Sequence, residues 1–213
     1  MNDTIDGQPA VKPKMRLAPK LSVLTLLLFG AAGIALIIFQ DRDPIKVVIG
    51  EADIFFQIAI GVAGGLLIAG IAWWIIRRRF MSPIRERYSA MIGPVMARRS
   101  DRIIVSICAG FAEELFFRGA IQHWLGIIAT AIIFVAIHGY LDPRDWRISL
   151  YGTFMTLAMI AIGWAAAEFG LIGPMLAHTI IDIFLLEKLH GEWMKRSVTV
   201  NPANTYADRN YPR

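Results

Sequence analysis

Two adjacent carboxylates, Glu113 and Glu114, lie inside the apolar stretch Ile103–Arg118. At membrane depth each such charge is unfavourable by about 3 kcal/mol even on insertion scales. Arg118 follows Glu114 at i+4, so on a helix the two share a face and pair in the favourable order. Glu113 is turned about 100° away and is free to meet another partner. Downstream, Phe134-Val-Ala-Ile-His138 ends an apolar run on an imidazole, and His178-Thr-Ile-Ile-Asp182 again spaces two polar groups at i,i+4. That spacing lets Asp182 accept a hydrogen bond from one ring nitrogen of His178, or lets both side chains point at one site. A glutamate tuned by burial takes a proton from water, while two imidazoles suit oxyanion stabilisation or a metal. The chemistry indicated is hydrolysis of an amide or related bond. Each group has a plainer reading. Glu114 with Arg118 is also what a structural ion cluster looks like, His178 with Asp182 a buried staple, and His138 an interfacial residue. Glu168, His123 and His190 receive no role.

Long apolar blocks must position these groups. The chain has 213 residues, 56% of them hydrophobic, with mean hydropathy +0.52. That is more apolar than a soluble domain. Residues 21–40 and 54–76 carry no charge, and each is long enough to cross the roughly 30 Å hydrocarbon core as a helix. The first is too long for a cleaved signal core and is expected to remain as a helix. Four further blocks follow, at 103–119, 120–138, 148–167 and 171–186. The fold class is therefore all-α: a multi-pass transmembrane helical bundle of about six membrane helices. A helix starting near Ile103 puts Glu113 about 15 Å in, at mid-bilayer. The apolar run 126–138 is too short to cross fully if the preceding helix continues through Trp124, so His138 is expected to end at depth. The following loop, 139–147, then lines or caps a cavity. The pair Gly61 and Gly65 permits close helix packing. A short amphipathic piece is expected around 88–96, broken by Pro94, and a last membrane helix from about Pro174 to Leu186.

The net charge of +5 is unevenly distributed. Lys12, Lys14, Arg16 and Lys20 precede the first block, and eight arginines lie between Arg77 and Arg102. By the positive-inside rule the N-terminus and the 77–102 loop are expected in the cytoplasm, with the C-terminus on the same side. The basic residues are accounted for by topology and anionic lipid; no RNA- or DNA-binding module is present. The single cysteine, Cys108, excludes an intrachain disulfide.

At Glu113-Glu114-Leu-Phe-Phe-Arg118, Phe134-Val-Ala-Ile-His138 and His178-Thr-Ile-Ile-Asp182 the chain resembles a known family of membrane peptidases. This is the CAAX-prenyl-protease and bacteriocin-processing (Abi) family of intramembrane peptidases, the type II CAAX prenyl endopeptidase-like proteins. Each motif alone is weak; the ordered trio is specific. The resemblance implies that Glu113 activates the attacking water and that His138 and His178 hold that water or stabilise the oxyanion. Asp182 stands where many relatives carry Asn. Glu114, Arg118 and Phe134 match supporting positions. It implies an intramembrane protease core (103–190), while hydropathy and polarity give a polar tail (1–20), two membrane helices with a basic loop (21–102) and a polar tail (191–213). The implied partners are the bilayer of the cell membrane and a membrane-associated, prenylated or peptide-like substrate. The cofactor is none or zinc; a zinc ion would take Glu113, His138 and His178. Two other readings stay open: an immunity or scaffold protein of the same fold, and a proton-coupled transporter using buried Glu, His and Asp as relays.

Overall fold

The computed structural model describes residues 17–200. Residues 1–16 and 201–213 lie outside it, and with them most of the expected N-terminal tail and the end of the C-terminal one. Among the described residues the regular structure is helical throughout, with no strand. The elements are α1 (Leu17–Phe39), a short α2 (Pro44–Ile49), α3 (Ile54–Ile76), a single 3₁₀ turn (Arg79–Met81) and α4 (Ser82–Val95). There follow α5 (Arg99–Glu114), a π-helical segment (Leu115–Ile121), α6 (Gln122–Ile137), α7 (Trp146–Phe169) and α8 (Ile172–Val200). The chain is a helical membrane bundle.

Four helical stretches are long and apolar enough to cross a bilayer: Ser22–Phe39, Ile54–Ile76, Arg99–Ile137 and Trp146–Phe169. The third holds two of the expected six helices and turns sharply at Gly126, with φ 75° and ψ 171°. That conformation is open to glycine. The remaining part of α6, residues 127–137, is roughly 16 Å long. It stops short of crossing, so His138 closes it inside the bundle, as its short apolar run foretold. α8 is the sixth expected helix; it carries Asp182, Glu187 and Lys188 and packs against α3, α4, α5 and α7.

Two expected boundaries are corrected. The piece expected at 88–96 is the longer α4, starting at Ser82; Pro94 falls in its final turn and does not break it. α8 does not stop at Leu186 but runs to Val200. Its polar extension is held by α4: Trp193 fills the space over Gly93, Arg85 Nε lies 3.4 Å from Glu192 and Arg196 2.9 Å from Glu86. The segment between α1 and α3, expected as loop alone, contains α2. Asp43 caps it by accepting from Ile45 N at 2.8 Å, as a side-chain oxygen at a helix N-terminus does. Pro44 takes the first position, where its missing N–H leaves no bond unmade.

Gly61 and Gly65 do permit a close approach, of α3 to α8. A Cβ on Gly61 would lie 2.5 Å from the Gly173 carbonyl oxygen, a contact between two backbones that no rotamer relieves. Gly61→Val is therefore expected to destabilise the bundle by about 1–3 kcal/mol. Thermal unfolding in detergent, followed by labelling of the buried single thiol Cys108, measures this.

Candidate active site

The last turn of α5 carries the two glutamates, and the π-helical segment that follows carries Arg118. Wide π turns leave carbonyls that the α-helical ladder would have used. At the end of this segment two side chains from beyond α1 take them: Gln40 Nε2 donates to Ala120 O at 3.0 Å and Arg42 Nη1 to Gly119 O at 2.9 Å. The segment is thereby fixed from outside the site.

Arg118 Nη1 donates to Glu114 Oε1 at 2.9 Å, and both side chains are almost wholly buried. The pairing read from i,i+4 spacing is present. The guanidinium also lies 4.3 Å from the centre of the Phe134 ring, and Nη2 is 2.9 Å from Met159 Sδ. Phe134 packs edge-on to the His178 ring, with centroids 5.6 Å apart, and tilted against His138 at 4.5 Å. One aromatic ring thus keeps the cation and both imidazoles in place.

Glu114 has a second task. His178 Nδ1 lies 2.8 Å from Glu114 Oε1, and His138 Nδ1 lies 2.7 Å from the Phe134 carbonyl oxygen. A carbonyl and an arginine-paired carboxylate only accept, so both imidazoles carry their proton on Nδ1. Each ring therefore turns Nε2 inward. His138 Nε2 is 3.5 Å and His178 Nε2 4.0 Å from one atom, Glu113 Oε2. That oxygen is buried and has no hydrogen bond within the protein. Asp182 Oδ2 lies 3.6 Å from His178 Nε2. Of the two sequence alternatives for this pair, both side chains point at one site; the acceptor that orients His178 is Glu114, not Asp182.

Glu113, His138, His178 and Asp182 open onto one cavity of about 240 Å³. Its far wall is apolar, formed by Ile84, Tyr88 and Met96 near α4 and by Ile148, Tyr151 and Met155 of α7. About a third of the His138 and Asp182 side chains stays open (32% and 31%), against 7% for His178.

The donors a cation would take are Glu113 Oε2 and the two Nε2 atoms. Tetrahedral zinc sets its ligands roughly 3.3 Å apart. That is close to the 3.5 Å edge and shorter than the 4.0 Å one. As placed, no group of three or more acids, histidines or cysteines among the described residues is arranged to hold an ion.

Residues 100–184 match the family described as type II CAAX prenyl endopeptidase Rce1-like. Over these residues the chain is similar to the Rce1-like family. The matched segment begins in the first turn of α5 and takes in Glu113, Glu114, Arg118, Phe134, His138, His178 and Asp182. α1 and α3 lie outside it. The chain is also 27% identical, over 80% of its length, to the uncharacterized protein YpbD of Bacillus subtilis (strain 168), of which the match covers 88%. No solved structure matches. This similarity supports an intramembrane, CAAX protease-type function.

Two features of the site escape sequence reasoning. The bond of Glu114 to His178 joins residues 64 positions apart, and no spacing rule reaches that far. Met159 sits in an apolar helix and carries no polar signal.

Proposed function

We propose that this chain is an intramembrane endopeptidase that hydrolyses a peptide bond of a membrane-associated, prenylated or peptide-like substrate with water activated by Glu113. The supporting observation is the convergence of both Nε2 atoms on Glu113 Oε2, at the base of an apolar cavity. A water bound among these three groups gives a proton to Glu113. Its oxygen attacks the scissile carbonyl carbon, and the C=O π pair moves onto oxygen. When the tetrahedral species collapses, the carbonyl reforms, the C–N bond breaks and the proton on Glu113 passes to the leaving nitrogen. Glu113 is left as it began. The second O–H of the water is accepted by an imidazole Nε2, that of His138 lying nearer to Glu113 Oε2 than that of His178, and Glu114, Arg118 and Phe134 keep the rings in register.

The apolar wall from α4 to α7 suits a substrate that arrives with a hydrocarbon or apolar side chain, and its polar end suits the peptide bond. The basic start of α5 and all of α4 lie at the same end of the bundle as the close of α8, as Arg102 pairing with Glu187 at 3.1 Å and Arg85 with Glu192 at 3.4 Å indicate. With arginines favouring the inner face, this end is assigned to the cytoplasm, in the cell membrane, and cleavage to the cytoplasmic half of the bilayer.

Comparison of protein termini in wild-type cells and cells carrying Glu113→Ala tests this reading. The expected result is a set of membrane-protein termini present only in the wild type. Identical termini in both, at matched expression, would exclude hydrolysis at this site. Proton flux that survives Glu113→Ala in liposomes would instead indicate a transporter.

A further inference from the structure

Attack on a peptide carbonyl creates an oxyanion, which needs hydrogen-bond donors at the oxygen where the charge develops. The polar groups around Glu113 are short of them. Glu114 and Asp182 are carboxylates, and carboxylates accept. Arg118 directs one terminal nitrogen to Glu114 and the other to Met159. His178 and His138 commit their Nδ1 protons to Glu114 and to the Phe134 carbonyl.

Among the tyrosines on the cavity wall, Tyr88, Tyr140 and Tyr151, one stands against an imidazole of the site. Tyr140, two residues beyond His138, lines the same cavity as Glu113, His138 and Asp182. Its ring stacks on His138 with centroids 6.1 Å apart and planes 20° from parallel. No other described residue is hydrogen-bonded to its hydroxyl. The backbone beneath it is held firmly. Tyr140 N donates to Val135 O at 3.3 Å. Its own carbonyl is pressed onto α7 at Gly152, where any Cβ would collide with the Tyr140 oxygen. Tyr151 meets its ring edge-on at 5.2 Å and 89°. Burial raises the Tyr140 phenol above its ordinary pKa, so at neutral pH it keeps the proton a donor needs. Tyr151 lies behind Tyr140, and Tyr88 stands further from His138, with its ring centroid 6.3 Å from that of Tyr140. Tyr140 is the tyrosine packed on an imidazole of the site.

We propose that Tyr140 is a further catalytic residue, whose hydroxyl donates a hydrogen bond to the scissile carbonyl oxygen as that oxygen becomes an oxyanion. This rests on the hydrolytic reading above. No proton leaves the phenol. The π pair of the carbonyl moves onto oxygen as the water C–O bond forms, the O–H of Tyr140 holds that charge, and the bond weakens again when the C–N bond breaks.

The test uses a synthetic peptide spanning a cleavage site found by the comparison of termini, with the full-length protein in detergent. Tyr140→Phe is expected to lower kcat about a hundredfold, with KM and melting temperature near those of the native protein. Thr153→Val, which removes an exposed hydroxyl of α7 away from the cavity, is expected to stay within about threefold of the native kcat, as removal of a group outside the site leaves the barrier unchanged. Native kcat in Tyr140→Phe would overturn the assignment while leaving the hydrolase reading intact. Cleavage that persists in Glu113→Ala would instead overturn that reading, and the role of Tyr140 with it. Should Tyr140→Phe melt early, kcat is compared at a temperature at which both proteins are folded, and a native value there would overturn the proposal.

Discussion

Glu113→Gln is expected to lower peptide cleavage by about 10²–10⁴-fold while leaving thermal unfolding close to native. The substitution keeps volume and shape. It removes only the ability to take a proton from water, because an amide has no basic oxygen at neutral pH. The fold barely registers the change, since Glu113 Oε2 has no hydrogen bond within the protein and its nearest imidazole nitrogens stand 3.5 and 4.0 Å away. Steady-state kinetics on a purified peptide substrate, alongside a melting curve, check both halves. A variant that cleaves at the native rate would remove Glu113 from the chemistry. A variant that unfolds would move it to the scaffold.

This expectation divides two residues that the sequence presents as a pair. Their separation was legible, because Arg118 at i+4 selects Glu114 and leaves Glu113 on another face. So was the short reach of α6, from the apolar run that ends at His138. The large fold features were legible for the same reason: unbroken apolar blocks must be helices in a bilayer, where backbone groups find no water. What stayed hidden depends on contacts between distant segments. The π turns over Leu115–Ile121 follow no hydropathy period, and their carbonyls are satisfied by Gln40 and Arg42, far earlier in the chain. The extension of α8 past Leu186 looks polar and ended, yet its acids and bases pair with α4. Asp182 was the natural partner for His178 by spacing, but Glu114 reaches Nδ1 from the facing helix. Tyr140 carried one available signal, an aromatic immediately after the His138-Gly139 helix end.

The orientation of the site follows from the same division. Glu114 is an acceptor shared by a cation and an imidazole, and its charge fixes which nitrogen of His178 bears the proton. His138 obtains the same tautomer from a backbone carbonyl. Two rings fixed by different acceptors therefore present the same atom to Glu113. The arrangement depends on the buried pair that Glu114 forms with Arg118.

Arg118→Met is accordingly expected to be the most destabilising single change in the core, by about 3–5 kcal/mol, the usual consequence of stranding one member of a buried ion pair. Both side chains are at most 1% exposed. Methionine fills much of the arginine stem's volume, so the loss reports charge more than cavity. Without the guanidinium, Glu114 loses its buried partner, and its grip on His178 Nδ1 loosens with it. Cleavage is expected to fall with stability. Glu114→Gln added to Arg118→Met removes the stranded charge and is expected to recover part of the lost stability but little activity. The amide keeps a weaker hydrogen bond to His178, and the charge that fixed its tautomer is gone. Denaturant unfolding in detergent, read by labelling of Cys108, gives the coupling energy. Additive losses in the double variant would mean that the two side chains do not act as a unit, and that Glu114 holds His178 without help from Arg118.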